Sequence, residues 1–336
     1  MGFLSTLNLK RRIILLVLFL AAGIAFAIGM IKPFDNSQSL QDEPEEALPI
    51  EEPRPSRGEL AMKALAAAYP WSIERVEFRP TNGVGDSNEA GDGDWAVLMR
   101  DTWYYYAGGR MLPEELLDNA SEYSTAFVSY NYQRELPPWT EPTTDQVDRY
   151  RNRNRNSNNE STPRPQLRRS LAFQEGLWQA GNRNEASQRM KSIDLLGHTV
   201  PVHSDIEGIL SRVEERIIAI AKNDPQVQSW ITNIGEMHGW NWRNVAGSQS
   251  RSNHSYGIAI DILPKSLGGK ATYWQWTANW WNVPYEGRYH PPDAVIKTFE
   301  SYGFIWGGKW TYYDTMHFEF RPEVFILSGM ELEYLK

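Results

Sequence analysis

The chain has no cysteine. That excludes disulfides and thiolate metal sites, so any bound metal must be held by histidine and carboxylate. Positive charge is in the minority. Thirty-four Lys and Arg stand against 42 Asp and Glu, a net charge of −8, which argues against general nucleic-acid binding. Histidine is scarce, with six in 336 residues, so each can be weighed singly. Long uncharged apolar stretches are scarce too, and residues 13–31 supply one of nineteen residues. That is close to the ~20 residues needed to cross a bilayer. Lys10, Arg11 and Arg12 precede it and an acidic stretch follows, which favours an N-terminus kept in the cytoplasm. The alternative is a cleaved signal peptide, with Ala25-Phe-Ala27 as a small-x-small site. Either way the remainder is expected outside the cytoplasm, anchored in the cell membrane by a single pass or released as a secreted or periplasmic form.

Aromatic residues are plentiful, 14 Trp and 16 Tyr among them, so a sizeable core is easy to build. At about 150 residues per domain the length suggests two domains, or one with extensions. The chain divides into a cytoplasmic stub and anchor (1–32), an acidic Pro-rich linker (33–58), an accessory α/β region (59–139), an Asn/Arg-rich loop or linker (140–170) and a catalytic domain (171–336). Residues 33–58 carry five prolines and seven acids against two arginines, too little apolar surface to order themselves. In the accessory region a helix is expected over 59–69 and strands over 71–79 and 94–110. The run Trp103-Tyr-Tyr-Tyr106 fits strand core better than a glycan-stacking surface. Arg151-Asn-Arg-Asn-Arg-Asn156 lacks interleaved aromatics and reads as a solvated loop.

In the C-terminal part, Ser204-Asp-Ile-Glu207 has the form of a capping box. Ile206, Ile209, Leu210, Val213, Ile217 and Ile220 continue it as a helical stripe. A second helix is expected over 292–302, closed by Gly303. With short strands between them this is an α+β pattern, a small antiparallel sheet with flanking helices.

Two segments carry chemistry. In Ser252-Asn-His-Ser-Tyr-Gly-Ile-Ala-Ile-Asp261, alternation sends Ile258, Ile260 and Ile262 to the core and Asp261 to the opposite face beside Gly257 and Ala259. A turn at Gly257 brings His254 over that face. In Asp314-Thr-Met-His-Phe-Glu319, Met316 and Phe318 face inward while His317 and Glu319 face outward. Two histidines and a carboxylate from separate strands suffice to hold zinc with one position open. His198, His203 and His238 read as surface or local hydrogen-bond residues, with His238 at a helix end. His290 is a candidate for the groove. Between the segments Tyr273, Trp274, Trp276, Trp280, Trp281, Tyr285 and Tyr289 either wall a groove or pack a long insertion.

The pattern S-x-H-x-x-G-x-A-x-D, followed by W-G-G-x-W and acid-x-x-H-F-E, resembles the zinc D-alanyl-D-alanine carboxypeptidases of the VanY type and the related L-alanyl-D-glutamate endopeptidases of phage endolysins. It spans roughly residues 197–321. The resemblance implies the D-Ala-D-Ala metallopeptidase/hedgehog-like fold, one zinc ion held by His254, Asp261 and His317, and Asp314 as catalytic acid/base. Arg243 matches a position that often carries a basic group and serves as a cation for the oxyanion. Ser252, Glu319, Tyr256 and Trp310 are expected around the ligands, supporting them or touching substrate. The carboxypeptidase branch usually carries Glu where this chain has Asp314, and the endopeptidase branch tends to carry Asp. The implied function is hydrolysis of peptide bonds in peptidoglycan stem peptides at the cell envelope. The alternative is an inactive zinc-bearing domain that binds wall peptide or a protein partner.

Overall fold

The computed structural model describes residues 55–81, 93–128, 130, 141, 143–145, 168–245, 250–276, 283–310 and 312–336. The expected anchor, the linker up to residue 54, most of the Asn/Arg-rich stretch, Trp280 and Trp281 lie outside the described residues. Among those described, no helix is long and apolar enough to cross a membrane.

Helix α1 (Arg57–Ala68) begins where Ser56 accepts a hydrogen bond from the Glu59 amide at 3.1 Å, and Glu59 also sits favourably at the positive end of the helix dipole. Its buried stripe is Ala61, Met62, Ala64, Leu65 and Ala68. It covers an antiparallel sheet of β1 (Arg75–Pro80), β2 (Gly93–Met99), β3 (Thr102–Tyr105) and β4 (Leu112–Pro113), in that order. The strand expected over 94–110 is therefore broken. Met99 pairs with Thr102, leaving Arg100 and Asp101 as a two-residue turn, both with positive φ (49° and 65°). Positive φ at both positions matches the twist of a tight hairpin. Neither residue is glycine, so the sequence carries no turn signal there. Tyr104 and Tyr105 are buried, as strand core.

Next come α2 (Leu171–Trp178), α3 (Arg183–Arg189) and a hairpin of β5 (Met190–Leu195) with β6 (His198–His203). Helix α4 (Glu207–Ala221) buries Ile209, Leu210, Val213 and Ile217. The capping box at Ser204 does not form. The Nδ1 of His203 instead accepts from the Asp205 amide at 3.2 Å, and Ser204 turns to the Asp205 carboxylate. His203 is thus buried rather than superficial, its Nε2 donating to the Trp178 carbonyl at 3.0 Å.

Helix α5 (Pro225–Thr232) leads into β7 (Ile234–His238). With β8 (Ala259–Pro264), β9 (Phe304–Trp306) and β10 (His317–Phe320) it forms a second antiparallel sheet, ordered β9-β10-β8-β7. Helix α6 (Asp293–Ser301) lies between β8 and β9 in sequence and ends at Gly303, whose φ is 87°. Helix α7 (Pro322–Leu327) follows β10. The architecture is α+β. Ile258, Ile260, Ile262, Met316, Phe318 and Phe320 all face the core, as alternation predicts.

One hydrophobic core unites the expected accessory and catalytic regions. Met62, Leu65 and Tyr69 pack in the same cluster as Trp178, Ile260, Phe318 and Phe320. Phe320 is central to it, with Tyr69 at 6.2 Å, Trp178 at 6.3 Å and Tyr334 at 5.6 Å between ring centroids. Residues Arg54–Lys336 form one compact unit. Truncating a buried phenylalanine of this kind costs about 3–5 kcal/mol. Phe320→Ala is therefore expected to destabilise residues 57–127 and 171–327 together, in one denaturant transition. Tryptophan fluorescence and far-UV circular dichroism check this, and two separated transitions would refute the shared core.

Candidate metal centre and catalytic cleft

The short turn Asn253–Tyr256 carries His254 and ends at Gly257 in the left-handed region, φ 67°. A Cβ at Gly257 would lie 2.5 Å from Met190 Sδ and 2.7 Å from the His203 amide, so no other residue fits. The Gly257 carbonyl accepts that amide at 2.8 Å, tying the turn to β6. Ser252 caps the turn, its Oγ accepting from the His254 amide at 3.4 Å, and its own amide donates to the Arg243 carbonyl at 3.1 Å. Strand register then does the rest. Asp261 on β8 lies directly opposite His317 on β10.

The three side chains expected as ligands converge. His254 Nε2 is 3.2 Å from Asp261 Oδ2 and 3.3 Å from His317 Nδ1, and His317 Nδ1 is 2.9 Å from Asp261 Oδ1. A tetrahedral ion with bonds of about 2.0–2.1 Å holds its ligand atoms about 3.3 Å apart, so this spacing fits zinc. Each histidine is oriented from behind. His254 Nδ1 donates to the Gly239 carbonyl at 2.7 Å, which leaves Nε2 as the free donor atom. His317 Nε2 donates to Glu319 Oε2 at 3.0 Å, which directs Nδ1 toward the centre. Asn253 Nδ2 donates to the same Glu319 oxygen at 2.7 Å. The Trp310 ring packs on His317 with centroids 5.4 Å apart. Tyr256, in contrast, is fully buried in the hydrophobic core, where Glu175, Arg251 and Arg169 are the charges acting on its hydroxyl.

Charge is finely balanced without an ion. Burial alone would raise Asp261, yet hydrogen bonds from His254 and His317 hold it well below the usual carboxylate range. Burial likewise pushes Glu319 up, and the bond and charge of His317 with the nearby Arg321 bring it down to about 2. His317, which burial would neutralise, is held protonated well above its ordinary value by Asp261 and Glu319 on either side. Asp314 differs. Desolvation pushes it up to about 6, with Asp261 adding to the rise and His317 opposing it.

Asp314 is placed by the W-G-G-x-W segment. Its amide donates to the Gly307 carbonyl at 3.0 Å. The two chains approach so closely that a Cβ at Gly307 would sit 2.5 Å from the Asp314 carbonyl. One Asp314 oxygen accepts from the Met316 amide at 3.3 Å. Tyr273, at the start of the aromatic loop, bridges to Asp314, and Trp276 stands exposed beside it with centroids 5.5 Å from Tyr273. Part of the loop therefore flanks the acid. Farther on, the loop packs inward, with the buried Arg288 over Tyr313.

A cavity of ≈ 300 Å³ opens onto His254 and Asp261, and Arg243 and His238 stand on its wall. His238 was expected at a helix end. It ends strand β7 instead, paired with Asp261 and bonded to Glu236 at 3.1 Å. Gly239, immediately after the strand, is the available signal of its end. Asn253 was also missed, since it occupies a variable position of the motif. His290 lines a separate cavity of ≈ 660 Å³ with Trp230 and Tyr289, its ring 5.3 Å from Trp306.

Residues 246–320 match the family model described as D-alanyl-D-alanine carboxypeptidase. The match spans His254, Asp261, Asp314, His317 and Glu319, and begins three residues after Arg243. Residues 61–127 match a second family model, described as a domain of unknown function. No solved structure matches the chain. Residues 246–320 are thus similar to a D-alanyl-D-alanine carboxypeptidase domain, and His254, Asp261 and His317 form a cluster able to hold a metal ion.

Because Asp261 and Glu319 raise the proton affinity of His317, an ion competes with a proton for its Nδ1. Raising the pH removes that competitor. Zinc binding is therefore expected to release a proton and to weaken as pH falls from 8 to 6. Calorimetry in buffers of different ionisation enthalpy measures both. A pH-independent affinity with no proton release would contradict the charge balance described.

Proposed function

We propose that this protein is a zinc-dependent peptidase that hydrolyses peptide bonds in peptidoglycan stem peptides at the cell envelope, as a D,D-carboxypeptidase of the VanY type or a related endopeptidase. The observation that carries this reading is the convergence of three donors at tetrahedral spacing beside a half-buried carboxylate, Asp314, pushed up to about 6. Carboxylates shifted in this way cluster at catalytic sites, where an acid/base near neutrality is needed. When bound, zinc supplies the Lewis acid that polarises the scissile carbonyl and lets water attack near neutral pH.

The chain's own groups divide the remaining work. Asp314 accepts a proton from the attacking water and passes it to the leaving amine. Desolvation, which raises its pKa, suits both halves of that transfer. Arg243 stands on the cavity wall, where its guanidinium meets the carbonyl oxygen as negative charge develops. Glu319 and the Gly239 carbonyl keep the two imidazoles aimed. Tyr273 and Trp276 flank Asp314 and offer an apolar wall for the stem peptide. The apolar run at residues 13–31 would tether the protein, leaving the cleft outside the cytoplasm, or be removed as a signal. Asp314 favours the endopeptidase and the matched family's description the carboxypeptidase; mass spectrometry of muropeptide products separates them.

Asp314 must be ionised to act as a base, so activity is expected to rise with pH through its pKa. A bound cation stabilises the carboxylate, which puts the acid limb at or below about pH 6. Asp314→Asn is expected to lower turnover at least about a hundredfold, to abolish that limb and to leave zinc content unchanged. Muropeptide hydrolysis across pH 4–9, with metal analysis of both proteins, checks this. Wild-type turnover in the variant would pass the role to another acid.

A further inference from the structure

We propose that residues 61–127, which match a family of unknown function, serve as an outer support of the metal centre, with Tyr69 a positioning residue acting on His317 through Glu323, Arg321 and Glu319. The inference rests on the zinc reading above and goes beyond it, since nothing in the peptidase motifs lies in that region.

The chain of contacts is continuous and buried. Tyr69, at the C-terminal end of α1, donates from its hydroxyl to Glu323 Oε2 at 2.5 Å. The other oxygen of Glu323 accepts from Arg321 Nε at 2.6 Å. Arg321 Nη2 donates to the Ala126 carbonyl at 2.9 Å. Its Nη1 is left toward Glu319, 3.9 Å from Oε1. Glu319 holds the Nε2 of His317 at 3.0 Å. Tyr69, Glu319, Arg321 and Glu323 are each at most 7% exposed, so water does not screen these interactions.

The arginine is what gives the arrangement its reach. A guanidinium is planar, and fixing two of its nitrogens fixes the third. One fixing contact is the Ala126 backbone itself, and the other is Glu323, which the Tyr69 hydroxyl holds by its second oxygen. Glu319 then lies between the Arg321 charge on its Oε1 side and Asn253, which shares Oε2 with His317. Such outer partners of a ligand typically change metal affinity by 10–100-fold when lost. They do so because an imidazole free to rotate about χ2 must be ordered anew when the ion arrives.

Tyr69→Phe tests this in the full-length protein, since it removes one hydroxyl and keeps the ring. Zinc affinity is read by competition with a chromophoric chelator, and ligand geometry by the visible spectrum of the cobalt-substituted protein. About tenfold weaker zinc binding and a changed cobalt spectrum are expected. Met62→Ala, in the same helix but outside the contact chain, is the control. It is expected to lower thermal stability while retaining wild-type affinity and spectrum. Glu323→Gln provides a second entry to the same link and decides the matter should Tyr69→Phe fail to fold. Wild-type affinity and spectrum in both Tyr69→Phe and Glu323→Gln, with zinc lost in His254→Ala, would overturn the support role alone. Undiminished zinc in His254→Ala would instead overturn the zinc reading on which it rests.

Discussion

Everything at this site depends on one cross-strand pair, Asp261 opposite His317. Side chains alternate faces along a strand, so a register slip of one residue would carry His317 into the core and Phe318 to the cleft. The register is fixed from the apolar side. Ile260 and Ile262 on one strand, Ile258 just before it, and Phe318 and Phe320 on the other are fully or nearly fully buried, and Phe299 stacks on Phe318 at 4.2 Å. The hydrophobic face thus chooses the pairing, and the polar face inherits it. His254 joins from outside the sheet only because Gly257 allows a left-handed turn in a space closed by Met190 and β6.

The pair brings an electrostatic problem that the fold answers with alternation. Three carboxylates, Asp261, Asp314 and Glu319, crowd two histidines in a half-buried place. Two of the acids are held ionised by hydrogen bonds to imidazole. The third receives little such help, and desolvation raises it. Residues of the same type thereby acquire different chemistry from their surroundings alone. His317 sits between two anions, which together raise its proton affinity above that of an ordinary histidine.

Much of this was legible in the sequence, and for physical reasons. Period-two alternation announced which faces carry His317 and Asp261, and the small Gly257 and Ala259 announced the space between them. Helix α6 announced itself by Pro292 and Gly303. The misses share a cause. Arg100-Asp101 turns without glycine, His203 caps a helix through a ring nitrogen, and the Gly239 carbonyl that fixes His254 is backbone. Side-chain identity carries no trace of such roles. The partition between residues 59–139 and 171–336 was drawn from composition. Composition cannot reveal that Tyr69 and Phe320, 251 positions apart, share one core.

That common core bears on inheritance. The stretch recognisable as a peptidase, residues 246–320, is smaller than the unit that folds. Its β10 presents Phe320 to rings contributed by α1 and α2, and the residue after the strand, Arg321, is gripped by Ala126. A gene fragment encoding only the recognisable stretch would expose that apolar surface and would lack Arg321 and the contacts that hold it. A gene segment that carries the catalytic motifs alone would therefore not encode a self-sufficient unit of this fold.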